Sequence, residues 1–235
     1  MGKRKLQRFK ENLTFPNFIQ PDYSNFKGTY PLKGRWSSEF FKNNNPVVLE
    51  LGCGKGEYAV GLAELNPQIN FIGIDIKGSR MWKGCKYSNM NNISNVAFLR
   101  TRIDFIEQFF DKEEISEIWL TFPDPQRKKY KNKKRLTSPL FLSRYSNILK
   151  KNHLIHLKTD SLPLFEYTLE VISENAHKLH YHTFDINEAD TPEEVKSIKT
   201  FYEKKFLDQG LMIKYLRFSL MPDTRLQMQH SDVNP

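Results

Sequence analysis

Short apolar runs and longer amphipathic stretches alternate along most of the chain, which is the pattern of strands and helices taking turns. The apolar runs predict strands at 47–51, 70–75, 96–100, 116–121 and 153–158. The amphipathic stretches predict helices at 36–42, 57–66, 78–90, 103–110, 139–150 and 162–176. This alternation is typical of an α/β fold in which helices cover both faces of a mostly parallel sheet.

The pattern changes towards the end of the chain. A strand is predicted at 181–186, and a helix is predicted to begin with Thr-Pro-Glu-Glu at Thr191 and to continue to about Phe206. Gly210 then breaks the chain before a final strand at 211–220. We therefore predict a seven-stranded sheet, mostly parallel, with an antiparallel C-terminal strand.

One domain is predicted at residues 31–222, between a basic N-terminal arm at 1–30 and a tail at 223–235. The arm either lies over a substrate or only keeps the chain soluble, and its charge comes from Lys3, Arg4, Lys5, Arg8 and Lys10. The whole chain of 235 residues has a formal charge of +9, which favours a polyanionic partner.

No apolar stretch approaches the roughly 20 residues of a membrane span, and the charged N-terminus leads into no apolar signal core. The two cysteines, Cys53 and Cys85, belong to no metal-spaced cluster, and the six histidines show no zinc-binding spacing. We expect a cytoplasmic protein with reduced thiols, no membrane contact and no metal. No sequence feature fixes an oligomeric state.

A glycine-rich loop follows the first predicted strand, with the sequence Glu-Leu-Gly-Cys-Gly-Lys-Gly from Glu50 to Gly56. A strand, a glycine loop and a helix in this order bring backbone N–H groups close to a ligand. Asp75, at the end of the next strand, is placed to bind ribose hydroxyls. Glu50 is badly placed for a pyrophosphate but suits a cationic or zwitterionic ligand, and S-adenosylmethionine is such a ligand.

Phe122-Pro123-Asp124-Pro125 ends the fourth predicted strand, and residues 125–135 contain seven Lys or Arg. The prolines restrict the backbone, so Asp124 is held in a fixed place. The basic run is typical of a surface that binds a polyanion, although such runs are often only solvated loops. A rigid acid beside such a surface suggests chemistry on a nucleic acid. The structural alternative is that Asp124 only forms the turn.

The chain resembles the bacterial tRNA (guanine-N7)-methyltransferases over roughly residues 30–220. The resemblance rests on residues 49–56, 73–75 and 122–125 with the basic tail, on Lys-Thr-Asp at 158–160 and on Thr-Phe-Tyr-Glu at 200–203. It implies a Rossmann-like class I S-adenosylmethionine-dependent methyltransferase that methylates N7 of a guanosine in tRNA, with the variable loop as the expected place. The cofactor is then S-adenosyl-L-methionine and the partner is tRNA.

The resemblance also implies roles for particular residues. Cofactor contacts are implied for Glu50, Gly52, Gly54, Asp75, Arg102 and Asp124, and the catalytic residue is Asp124. Substrate contacts are implied for Lys128, Asp160, Thr200, Phe201, Tyr202 and Glu203. RNA contacts are implied for Tyr130, Lys131, Asn132, Lys133, Lys134 and Arg135. The chain departs from the family at Gln126 and Arg127, and either Arg102 or Asp104 stands where the family meets the adenine.

N7 of guanine has an in-plane lone pair and loses no proton, so methylation there requires no general base. The site must align N7 with the methyl group and stabilise the positive charge that reaches the purine. Asp124 is predicted to do this, or to accept from guanine N1–H and N2–H. The alternatives are another S-adenosylmethionine-dependent RNA base methyltransferase, a nucleotide-cofactor oxidoreductase, and an RNA-binding module with a vestigial cofactor pocket.

Overall fold

The computed structural model describes residues 3–22, 28–188 and 190–221. The predicted tail at 223–235 lies outside the described residues. Within them no helix is long and apolar enough to cross a membrane, and no group of three or more His, Cys, Asp or Glu side chains could hold a metal ion. Both cysteines are buried free thiols.

The first half of the chain forms the N-terminal strands and helices. These elements are α1 (Lys3–Asn12), β1 (Phe18–Ile19), a short π-helix (Trp36–Phe40), β2 (Val47–Leu51), α2 (Glu57–Leu65), β3 (Asn70–Asp75), α3 (Gly78–Met90), β4 (Val96–Arg100), a 3₁₀ turn (Ile103–Phe105) and α4 (Ile106–Phe109).

The second half completes the sheet. It contains β5 (Ile115–Thr121), a 3₁₀ segment (Lys129–Lys134), α5 (Pro139–Ser146), β6 (Leu149–Thr159), α6 (Leu162–Glu174), β7 (Lys178–Thr183), α7 (Glu193–Ser197), α8 (Phe201–Leu207) and β8 (Lys214–Ser219).

The strands form one sheet in the order β1-β4-β3-β2-β5-β6-β8-β7. Neighbouring strands are parallel except at β8, which runs antiparallel to β6 and to β7. The α/β fold and the antiparallel C-terminal strand are therefore confirmed. The described sheet has eight strands rather than seven because the two-residue strand β1 pairs with Phe98 and Leu99 of β4.

Alternating side chains of the central strands pack into two apolar cores, one on each face of the sheet. In β2, Val47, Leu49 and Leu51 enter one core and Val48 enters the other. Every residue of β2 is buried, and Glu50 is its single charged member. Because a buried carboxylate is costly without hydrogen bonds, Glu50 marks where the strand reaches a polar site.

Part of the predicted N-terminal arm packs on the domain. The buried Asn12 donates from Nδ2 to the backbone oxygen of Gly78 at 2.8 Å, and Trp82 Nε1 donates to Glu11 at 2.6 Å. These contacts place α1 against α3, and β1 follows at the sheet edge.

Four predicted helices differ clearly from the observed ones, and the first of them, predicted at 36–42, is the short π-helix Trp36–Phe40. The segment predicted at 139–150 ends as a helix at Ser146, because β6 begins at Leu149. Residues 103–110 form a 3₁₀ turn followed by the short helix α4. The single helix predicted from Thr191 to Phe206 is two helices, α7 and α8, with Ile198–Thr200 between them.

Candidate active site

The carboxyl ends of β2, β3, β5 and β6 surround a cleft of about 660 Å³, which the start of α8 also borders. This is the edge at which parallel α/β sheets bind ligands. The structure brings nine predicted site residues to this cleft: Glu50, Gly52, Gly54, Asp75, Asp124, Lys134, Asp160, Thr200 and Tyr202.

The glycine loop needs its glycines for two different reasons. Gly52 has φ of 79°, and a Cβ there would meet nothing closer than Leu136 Cδ1 at 4.0 Å, so the missing side chain leaves open space in the cleft. Gly56, with φ of 72°, caps α2, and a Cβ there would overlap the Phe98 ring. One glycine therefore makes room for a ligand and the other makes room for the core.

Glu50 is held by the protein on both oxygens. Its Oε2 accepts from the backbone N–H of Ala59 at 2.9 Å, and its Oε1 accepts from the Thr121 hydroxyl at 2.5 Å. Burial raises the pKa of Glu50 to about 7, although both hydrogen bonds act in the opposite direction. The carboxylate therefore anchors α2 to β5 and still lines the cleft.

Asp75 fixes the glycine loop from the neighbouring strand. Oδ2 accepts from the N–H of Gly54 at 3.0 Å, and Oδ1 accepts from the N–H of Lys77 at 2.8 Å. Each carboxylate oxygen has a second lone pair, so the side chain can still accept from a pair of ligand hydroxyls.

Asp124 is exposed at the mouth of the cleft. Its Oδ1 accepts from the N–H of Gln126 at 2.9 Å, whereas Oδ2 makes no hydrogen bond within the part of the chain that the structure describes. Oδ1 therefore forms the turn, as the structural alternative predicts, and Oδ2 remains available to a ligand. The non-glycine residues Phe122 and Gln126 have φ of 49° and 47°, a conformation that costs roughly 1–3 kcal/mol and persists only where neighbours enforce it.

Those neighbours are Lys158 and Arg135. The N–H of Phe122 donates to the backbone oxygen of Lys158 at 2.8 Å, and Arg135 Nε donates to the backbone oxygen of Pro125 at 3.0 Å. The Arg135 guanidinium lies 4.2 Å from the ring centre of Tyr167 and is buried. The Pro-Asp-Pro segment is therefore held at both ends.

The Thr200–Glu203 segment divides into exposed and buried members. Thr200 caps α8 by accepting from the N–H of Glu203 at 3.2 Å, and Thr200 and Tyr202 line the cleft. Phe201 lies at the surface, where its N–H donates to Glu57 at 2.7 Å and Lys55 Nζ lies 3.2 Å from its ring centre. The structure does not bring Phe201 to the lining of the cleft.

Glu203 lies below the cleft in a fully buried ion pair with Lys158, at 2.7 Å. Lys158 Nζ also donates to the backbone oxygens of Val195 and Ile198, at 2.6 and 3.2 Å. Burial raises the pKa of Glu203 and lowers that of Lys158, and each partner opposes the other's shift. Three donors on one ammonium therefore tie β6 to α7 and α8.

The basic segment after Pro125 is mixed in exposure. Lys128, Tyr130, Lys133 and Lys134 are exposed and Lys131 is half-buried, but Asn132 and Arg135 are buried. Arg127 and Lys134 reach the cleft. Gln126 also lines the cleft, whereas its lining does not include Lys128, Tyr130, Lys131, Asn132, Lys133 or Arg135.

A second cleft of about 550 Å³ shares Gly52, Asp75 and Lys134 with the first one. Arg102 and Asp104 both line it and form an ion pair with each other at 3.1 Å. Asp104 pairs as well with Arg144 at 3.2 Å. The two candidates for adenine recognition therefore line the same cleft and are bound to each other as an ion pair.

Sequence reasoning missed Thr121 and the pairing of Lys158 with Glu203. Thr121 could have been found as the polar residue that ends an apolar strand just before Phe122. Lys158 stands in a predicted strand, and a lysine there requires a buried acid, but no pattern in the sequence shows that the acid lies 45 residues away.

This chain is similar in sequence and in fold to known proteins. Residues 44–216 match the model of a family described as putative methyltransferase. The tRNA (guanine-N(7)-)-methyltransferase of Christiangramia forsetii is 51% identical over 221 residues, which are 93% of this chain and 99% of that protein. The enzyme of the same name from Bacteroides fragilis is 48% identical, over 97% of this chain and 90% of its own length.

Among solved structures, the 16S rRNA methyltransferase KamB superposes with a TM-score of 0.58 at 17% identity, over 76% of this chain and 89% of its own. At this identity the likeness concerns the fold alone.

Proposed function

This chain belongs to the family of tRNA (guanine-N(7)-)-methyltransferases, and we propose that it transfers a methyl group from S-adenosylmethionine to N7 of a guanosine in tRNA. We place the target guanosine in the tRNA variable loop, the reaction in the cytoplasm, and the catalytic unit in residues 31–222. The observation that carries the proposal is that one cleft joins the glycine loop and Asp75 to Asp124.

The chemistry of the cleft fits S-adenosylmethionine. Open space at Gly52 admits a ligand next to the backbone, and Asp75 has lone pairs left for two ribose hydroxyls. Two acids, Glu50 and Asp75, line the same cleft, which disfavours a pyrophosphate and suits a cationic group. When bound, S-adenosylmethionine supplies an activated methyl group on a sulfonium.

Asp124 is the proposed catalytic residue. Its Oδ1 is fixed by the Gln126 N–H, and Oδ2 accepts no hydrogen bond from the described residues, so the carboxylate is oriented before the base arrives. Positive charge develops on the purine as N7 accepts the methyl group, and a preoriented carboxylate stabilises that charge without reorganising. N7 holds no proton, so Asp124 acts electrostatically and not as a base.

The remaining site residues fall into three proposed groups. Asp160, Thr200 and Tyr202 line the cleft, and in this proposal they hold the guanosine from the side of β6 and α8. Lys128, which is outside the cleft lining, is proposed to contact its phosphate. Tyr130, Lys131, Lys133 and Lys134 contact the RNA, whereas buried Asn132 and Arg135 position that segment. Glu203 acts through its pair with Lys158, which holds the Thr200–Tyr202 segment in place.

Nucleoside analysis of tRNA incubated with the protein and labelled S-adenosylmethionine tests the proposal. We expect 7-methylguanosine as the labelled product, and chain cleavage at that nucleoside should map it to the variable loop. A different methylated base would support the alternative of another RNA methyltransferase. Binding of NAD without binding of S-adenosylmethionine would support the oxidoreductase.

A further inference from the structure

Helices α1 and α3 pack against each other although both are basic. Together they contain eight Lys or Arg residues and a single acid, Glu11. Glu11 is already engaged, because it accepts from Trp82 at 2.6 Å and from Gln7 at 2.9 Å. The two helices therefore carry an excess of positive charge that Glu11 alone does not balance.

Aromatic stacking holds two of these cations on the outer surface. The Arg8 guanidinium lies 4.7 Å from the ring centre of Trp82, and Lys86 Nζ lies 5.1 Å from the same ring. The indole thus presents one cation from each helix, and exposed Lys5 lies one turn before Arg8. We call Lys5, Arg8 and Lys86 the α1–α3 basic face.

The α1–α3 basic face continues into the cleft. Lys55, Lys77 and Arg80 line the cleft on the side of α3, and Lys83 pairs with Glu57 at 2.6 Å. Burial lowers the pKa of Lys55, and so do three cations around it, Lys83, Arg80 and Arg8. Positive charge therefore runs from the cleft to the Trp82 surface.

The cleft is thus flanked by positive charge on two sides. Arg127 and Lys134 border it from the basic segment after β5, and Lys55, Lys77 and Arg80 border it from the side of α3. A nucleotide chain that places one base in the cleft must continue in both directions from that base. We propose that the α1–α3 basic face binds tRNA phosphates on one side of the target guanosine, while the segment at 127–134 binds those on the other side.

This proposal rests on the proposed function for the identity of the polyanion. An anionic membrane is a weaker partner for this face, because the positive charge leads into a cleft and not onto a flat apolar surface. Measuring binding to tRNA and to vesicles distinguishes the two partners. Because binding is measured without methyl transfer, failure of the proposed reaction can be told apart from failure of the proposed surface.

The test replaces Lys5, Arg8 and Lys86 together by Gln and measures tRNA affinity between about 50 and 200 mM salt. We expect the slope of log affinity against log salt to fall by about two units, as for the loss of about three phosphate contacts. The matched control replaces Lys150, Lys151 and Lys178 by Gln, which removes the same charge from exposed positions at the other end of the strands. That control should leave the slope unchanged.

A second variant, Arg8→Lys with Lys86→Arg, keeps the charge but alters the stacking on Trp82. This variant should retain the wild-type salt slope. If the slope falls equally in the Gln triple and in this charge-conserving variant, α1 has detached from α3 and the proposal is overturned. Equal salt slopes for the Gln triple variant and wild type would overturn the proposal. If that variant also lost binding to phosphatidylserine vesicles, the partner of this face would be an anionic membrane and not tRNA. If wild type makes no 7-methylguanosine while the triple still loses slope, the proposed reaction fails and the RNA surface stands.

Discussion

The two walls of the cleft are built in opposite ways. The inner wall consists of Glu50, the glycine loop and Asp75, whose acidic oxygens already accept hydrogen bonds from the protein. The outer wall is the segment 122–135, where one oxygen of Asp124 accepts no hydrogen bond from the described residues and most of the described lysines are exposed. The contrast teaches that the inner wall is a preformed receptor and the outer wall is a surface for a partner.

If the contrast is correct, changes in or below the inner wall should act on stability and cofactor binding, and changes in the outer wall should act on turnover and RNA affinity. The experiments below test this separation.

The largest effect is expected from Lys158→Met, below the cleft. It leaves Glu203 buried without its partner, and breaking a buried ion pair costs roughly 3–5 kcal/mol. Urea unfolding followed by circular dichroism should show a loss of this size. The double variant Lys158→Met, Glu203→Leu should recover much of the loss, and an equally unstable double variant would show that the hydrogen bonds to Val195 and Ile198 dominate instead.

Asp124→Asn comes next, in the outer wall. It keeps the size and the turn-forming acceptor but removes the charge, so turnover should fall by about 10²–10³-fold, the scale of one lost electrostatic stabiliser. The loss should persist at saturating tRNA, and cofactor affinity measured by calorimetry should change little. Normal turnover with poor tRNA affinity would leave Asp124 as a base-binding contact only.

Asp75→Ala changes the inner wall. It should weaken S-adenosylmethionine binding by about 1.5–3 kcal/mol, the contribution of hydrogen bonds to a charged group. Calorimetry with and without a divalent ion measures this, and we expect binding to wild type without any metal. A tRNA affinity reduced as strongly as the cofactor affinity would contradict the separation of the two walls.

Lys131, Lys133 and Lys134 lie in the outer wall. Their joint replacement by Gln should flatten the dependence of log tRNA affinity on log salt by roughly two units, with cofactor binding retained. Filter binding over a salt series provides the slope. An unchanged slope would show that this segment is only a solvated surface. The proposed phosphate contacts on that side of the target guanosine would then be wrong.

The smallest effect concerns the protonation of Glu50. Its pKa of about 7 should fall when a cationic ligand binds beside it, so the ionised form is the binding form. S-adenosylmethionine affinity should therefore rise with pH through about 7 and be about tenfold weaker at pH 6 than at pH 8. Titration calorimetry of wild type and Glu50→Gln checks this, because the variant should lose the added pH dependence.

The sequence predicted the first part of the framework most closely because β2, β3 and β4 are mostly apolar. The bounds predicted for β2, β3, β4 and α3 are those observed, and the glycine loop with Asp75 lies in the cleft as expected. Runs of buried residues bounded by glycine or polar residues leave little freedom of assignment.

The break between α7 and α8 was beyond local reasoning. The carbonyls of Val195 and Ile198 accept from Lys158 of a distant strand, and the N–H of Phe201 donates to Glu57 of α2. These long-range contacts outweigh the local helical pattern. The burial of Arg135 is of the same kind, because a basic run does not show which member packs on Tyr167.

The crowding behind the glycine loop restricts how related sequences can diverge. A Cβ at Gly56 would overlap the Phe98 ring, and one at Gly84 would come within 2.7 Å of the same ring and 2.9 Å of the Lys55 oxygen. Phe98 therefore restricts both positions, but each glycine has a second restraint, the φ of 72° at Gly56 and the Lys55 oxygen at Gly84. A smaller residue at 98 would relieve the ring clash at Gly84 but not the backbone clash with Lys55, so both glycines are expected to persist even in relatives that have a smaller residue at 98.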